Sequence, residues 1–135
     1  MSTDIALKGF HHLTLTVTDI NRACEFYTGV LGLNVVAELS PERVIVGNDH
    51  LFFGLGKASD PARSVKNDRF DENRVGLDHL SFSVDSREDL ERAQQLFDER
   101  GVRHAEMKDL PDFGITVMMF WDPDNIQLEL TAPLK

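Results

Sequence analysis

The chain lacks the materials for several kinds of protein. Cysteine occurs once, at Cys24, so no disulfide framework can form within the chain and a reducing compartment is expected. No apolar run approaches the roughly 20 residues of a membrane-spanning helix. The opening residues, MSTDIALKGF, hold neither a basic region nor an apolar stretch, so no secretory signal is expected and a cytoplasmic location is. No basic patch stands out against a formal net charge of −9, which argues against nucleic acid as a partner and against an anionic membrane surface. There is one tryptophan and one tyrosine.

What is present is enough for a folded unit. A hydrophobic share of 41% supports a core, and 135 residues suit one domain over 1–135. The organising feature is an internal repeat. FHHLTLTVTDINRACEFYTGVLGL, from Phe10, returns as LDHLSFSVDSREDLERAQQLFDERGV, from Leu77. The alignment puts His12 on His79, Val17 on Val84 and Gly32 on Gly101. A repeat of this period means one supersecondary unit used twice.

Each unit reads as β-α-β-β-β. The first runs over about 8–57, the second over about 75–132, and a charged stretch over 58–74 joins them as a linker or lid. Strand 1 is expected over 9–17, with Leu13, Leu15 and Val17 facing one way and His12, Thr14 and Thr16 the other. Its helix, capped by Thr18 or Asp19, carries an apolar stripe of Ile20, Ala23, Phe26, Tyr27, Val30 and Leu31. Strands follow over 33–39, 44–46 and 51–55. In the second unit Leu80, Phe82 and Val84 oppose His79, Ser81 and Ser83. Ser86 with Asp89 reads as a capping pattern for the helix bearing Leu90, Ala93, Leu96 and Phe97. A weak strand over 102–107, a strong one over 115–121 and a last one over 126–131 complete it. The turn at 122–125 suits a left-handed Asn125.

Three strands thus present polar faces: His12-Thr14-Thr16, His79-Ser81-Ser83 and Gln127-Glu129-Thr131. One His on such a face is ordinarily plain surface. Two at matching repeat positions, with Glu129, are what a three-ligand divalent metal site needs, with positions left open. Other residues read more blandly. His11 points to the apolar side of strand 1 and reads as a satisfied buried or edge histidine. His50 and His104 read as surface. Cys24 and Tyr27 read as structural, and Phe52, Met118, Phe120 and Trp121 mostly as core.

HLTLTVTDINRACEFYTGVLGL, DHLSFSVDS and FWDPDNIQLEL together resemble the vicinal oxygen chelate superfamily over nearly the whole chain. That superfamily includes glyoxalase I, fosfomycin resistance enzymes, methylmalonyl-CoA epimerase, extradiol dioxygenases and bleomycin resistance proteins. The resemblance implies an α+β fold in which two modules form an eight-stranded, U-shaped mixed sheet around a metal. It implies His12, His79 and Glu129 as ligands of a divalent ion (Fe, Mn, Ni or Zn), and Glu129 as a catalytic base. It implies a small-molecule substrate and a homodimer. The fourth position of glyoxalase I, a carboxylate, falls near Gly54, so this chain departs there. The function implied first is a lyase or isomerase chelating vicinal oxygens. The alternatives are an Fe(II) extradiol-type dioxygenase and a non-catalytic binding or resistance protein.

Overall fold

The computed structural model describes residues 4–134. Both modules form as expected, and the class is α+β. The first comprises β1 (Thr14–Thr16), α1 (Ile20–Gly29), β2 (Asn34–Ser40), β3 (Arg43–Gly47) and β4 (Phe52–Gly56). The second comprises β5 (Leu80–Ser83), α2 (Arg87–Arg100), β6 (Lys108–Leu110), β7 (Ile115–Trp121) and β8 (Gln127–Pro133). Hydrogen bonding divides the eight strands into two four-stranded sheets, ordered β1-β4-β3-β2 and β5-β8-β7-β6. In each, the first strand lies parallel to the fourth and the remaining neighbours are antiparallel.

The helices begin where local chemistry supplies a cap. Asp19 accepts the amide of Arg22 at the start of α1. Ser86 and Asp89 form a reciprocal capping box on α2, which ends at the left-handed Gly101. Thr18, the other cap candidate, is engaged elsewhere: its amide donates to Asp124 Oδ2 at 3.1 Å and its hydroxyl to Asp124 Oδ1.

A shared core holds the modules together. Phe120 of β7 stacks on Phe97 of α2 at 4.6 Å between centroids and on Phe26 of α1 at 6.4 Å, so one ring meets both helices. Leu55, Leu90, Met118 and Leu128 are fully buried around it. Burying such side chains contributes about 1.5–3 kcal/mol each. Polar clamps seal the join. Tyr27, wholly buried on α1, donates to Asp122 Oδ2, and Arg22 pairs with Asp124 Oδ1 at 3.2 Å.

Several expectations change. The weak strand expected over 102–107 is reduced to a single bridge, His104 to Phe120, and β6 forms later, at Lys108–Leu110. There the chain pairs with Thr116 and its neighbours instead. β1 is three residues long, so His12 precedes it rather than lying within it. His11 is exposed rather than buried, edge-on at 6.3 Å to the Phe52 ring, and Phe52 is itself exposed rather than core. His104 is largely covered rather than surface, its ring tilted against Phe97 at 5.9 Å and bonded to Asp98.

Candidate metal centre

β5 and β8 run parallel with Ser81 opposite Glu129 and Ser83 opposite Thr131. That register sets the polar faces of the two strands side by side. Their apolar residues, Phe82 and Leu128 among them, turn to the core. On the polar side His79 Nε2 lies 3.7 Å from Glu129 Oε1. This is too long for a hydrogen bond. It is close to the separation of two donors on one cation, since two bonds of about 2.1 Å at a tetrahedral angle place their ends about 3.4 Å apart.

The remaining contacts orient both groups. His79 Nδ1 lies 2.8 Å from Asp78 Oδ1. With the proton there, Nε2 keeps its lone pair toward Glu129. Asp78 is itself held by Gln127, whose Nε2 donates to its carbonyl and its carboxylate, both at 3.1 Å. Glu129 is buried, at 8% exposure, and its Oε1 accepts from the Thr131 hydroxyl at 3.1 Å. Thr131 is joined in turn to Ser81 at 2.6 Å. No donor to Glu129 Oε2 occurs among the described residues.

A carboxylate next to a histidine in DHLSFS is a sequence signal that was available for Asp78. The parts of Gln127 and Thr131 required the strand register.

His12 stands apart from this pair. Its Nδ1 lies 2.7 Å from His11 Nδ1, and the rings meet edge to face at 4.9 Å. Among the described residues of one chain, no three His, Cys, Asp or Glu side chains stand close enough to hold a metal ion. The spacing of His79 and Glu129 suits two donors to one divalent cation, and no third donor joins them among the described residues.

The position corresponding to a fourth ligand is closed. Thr14 pairs with Gly54 across β1 and β4, and a side chain at 54 would meet Thr14 Oγ1 at 2.6 Å. Thr14 covers the surface that a carboxylate there would need.

The sequence pattern of the Glyoxalase/Bleomycin resistance protein/Dioxygenase superfamily matches residues 9–130. The chain belongs to that superfamily. It is 27% identical over 131 residues to the uncharacterized protein YwkD of Bacillus subtilis, covering 92% of this chain and 96% of that one. It is 27% identical over 124 residues to the metallothiol transferase FosB of Staphylococcus epidermidis, covering 92% and 83%. Among solved structures, a glyoxylase/bleomycin resistance protein/dioxygenase domain from Frankia sp. EAN1pec matches with a TM-score of 0.76 and 30% identity, over 95% of this chain and 99% of that one. The fosfomycin resistance protein FosX of Listeria monocytogenes, in complex with Mn(II) and sulfate, shares the fold with a TM-score of 0.73 and 20% identity, over 95% and 92%.

Proposed function

We propose that the protein is a divalent-metal enzyme of this superfamily, of the lyase or isomerase kind, acting on a small substrate through two adjacent oxygens. Its ligands are His79 and Glu129 of one copy and His12 of a second copy in a homodimer. The observation that carries the reading is the pair of donors held 3.7 Å apart, each with its own hydrogen-bond partner. Such support of metal ligands is what keeps a site selective and tight. The manganese found in the FosX structure favours the same reading.

The bound metal supplies Lewis acidity, drawing charge from the substrate's oxygens. The chain's own residues do the rest. Asp78 and Gln127 hold the His79 ring. Thr131 holds Glu129 by Oε1, the same oxygen that faces His79, and the carboxylate can take a proton from a substrate carbon. Gly54 supplies no carboxylate, so Glu129 is the base on which the reaction rests. Several large apolar side chains of the first module, Leu13, Val35, Leu39 and Phe52, are exposed. A second copy could cover them in a homodimer.

Elemental analysis and subunit mixing test this. The protein purified without chelator is expected to hold about one divalent metal per chain, lost in both His79→Ala and Glu129→Ala. Mixing His12→Ala with Glu129→Ala in equal amounts after dissociation restores about a quarter of all sites if ligands come from two chains, because about half the dimers are then mixed and one of the two sites in each is intact. No restoration refutes the shared site. No metal in any preparation, and none taken up on addition, refutes the enzyme reading. Iron as the metal, with oxygen consumed on adding catechols, would replace the lyase or isomerase reading with ring cleavage.

A further inference from the structure

The turn joining β7 to β8 carries an arrangement that the metal site does not use. Asn125 takes a left-handed conformation, φ 66°. Its Nδ2 donates to the carbonyl of Phe70 at 3.0 Å, while the Phe70 amide donates to the carbonyl of Asp124 at 2.9 Å. These two bonds strap the inter-module linker to the turn. They also fix the amide so that Oδ1 faces outward.

Two guanidiniums converge on that oxygen. Arg69 donates to it at 3.1 Å and Arg103 at 3.0 Å. Arg103 is held from below by the Trp121 ring, 4.0 Å from its guanidinium carbon to the ring centre. Neither arginine has a carboxylate partner among the described residues. In a chain of net charge −9, two cations side by side with one neutral acceptor between them are unusual.

The nearest acids do not neutralise them directly. Asp122 faces inward to Tyr27 and to two backbone amides, and Asp124 is taken by Thr18 and Arg22. Asp68 accepts the backbone amide of Arg69 itself. Beside Arg69 opens a groove of about 1160 Å³ between the linker and the start of α1. Its wall includes Arg63, which also lacks a carboxylate partner among the described residues. Its other cations, Arg22 and Lys57, are paired with Asp124 and Glu42.

The geometry points to an anion site: Arg69 and Arg103 bind the phosphate group of a small molecule whose remainder lies in the adjoining groove. A tetrahedral dianion has enough oxygens to accept from both planar forks at once, which suits arginine better than any single charge does. The fixed positions of both side chains lower the ordering cost of binding.

The sole tryptophan makes the test direct, because an anion on Arg103 changes the charge over the Trp121 ring. Trp121 emission is titrated with inorganic phosphate at constant ionic strength, in the full chain, with chelator present so that no metal contributes. A saturable change is expected, and Arg69→Gln is expected to weaken it about tenfold or more. Arg69→Lys, which keeps the charge without the fork, should weaken it as well. Arg87→Gln, at a surface ion pair, is the control and should leave it unchanged. A response that does not saturate, that persists in Arg69→Gln, or that acetate reproduces at equal ionic strength would overturn the assignment. Because metal is absent throughout, either result stands apart from the fate of the metal site.

Discussion

The Tyr27 hydroxyl donates a 2.8 Å hydrogen bond to Asp122 Oδ2, joining the helix of the first module to the hairpin turn of the second. Burial holds the tyrosine in its neutral, donating form, and burial also pushes the Asp122 carboxyl up despite the Tyr27 bond. Tyr27→Phe keeps the ring and deletes the donor. It leaves a buried carboxylate with only the amides of Asp124 and Ile126. A loss of about 2 kcal/mol is expected, read as a lower denaturant midpoint at unchanged slope. A variant as stable as the parent would mean that the bond contributes nothing net.

Asp78 is expected to matter to metal affinity while leaving the fold intact. It is exposed, and its tie is to His79 Nδ1. Asp78→Ala frees the ring to rotate and to change tautomer, so affinity for the divalent ion should fall about 10- to 100-fold. Isothermal titration with the apo-protein measures this, and unchanged thermal unfolding separates it from misfolding.

Gly54 and Thr14 form a close pair whose coupling can be measured. Gly54→Ala places a methyl 2.6 Å from Thr14 Oγ1 and 3.0 Å from its Cγ2. The expected cost is about 1–3 kcal/mol. In a Thr14→Ala background the offending atoms are gone, and the same change should cost clearly less. A double-mutant cycle with no coupling would show that the two side chains do not compete for space.

His104 gives a pH dependence with a definite sign. Its hydrogen bond to Asp98, followed by one to the Ala105 carbonyl, raises its pKa above the ordinary histidine value. A raised folded pKa stabilises the fold when the group is protonated. The contribution is therefore complete below the unfolded value of about 6.5 and lost as pH rises through the folded one. Asp98→Asn should lose about 0.2–1 kcal/mol near pH 5.5 and little near pH 8.5, since Asp98 is exposed and screened. Thermal melts at the two pH values decide it, and equal losses at both would show that the ion pair is not the cause.

Much of this architecture was legible because it rests on short periodicities. β7 was bounded correctly at Ile115 and Trp121, and the Ser86–Asp89 box and left-handed Asn125 followed from residue type alone. The misses share one cause. His11, Phe52 and the stretch over 102–107 have the right polarity for the interior or for a strand, but their neighbours are set by long-range packing. The 102–107 stretch finds one partner, Phe120, before the chain moves on. In the candidate metal centre, His79 and Glu129 could be matched by strand face. The linkage of Asp78 through Gln127, and of Glu129 through Thr131, depends on which residues the parallel β5–β8 register sets opposite one another.

β2 is an edge of the first sheet, and its ladder with β3 shifts register twice, between Val35 and Ala37 and again between Glu38 and Ser40. Val36 and Leu39, skipped by the pairing, stand out into solvent. A strand arriving at this edge from another molecule would meet a kinked template with no continuous run of free amides and carbonyls. Endless edge-to-edge growth is disfavoured there even though the strand is apolar. Growth of fibres through this edge is thereby disfavoured.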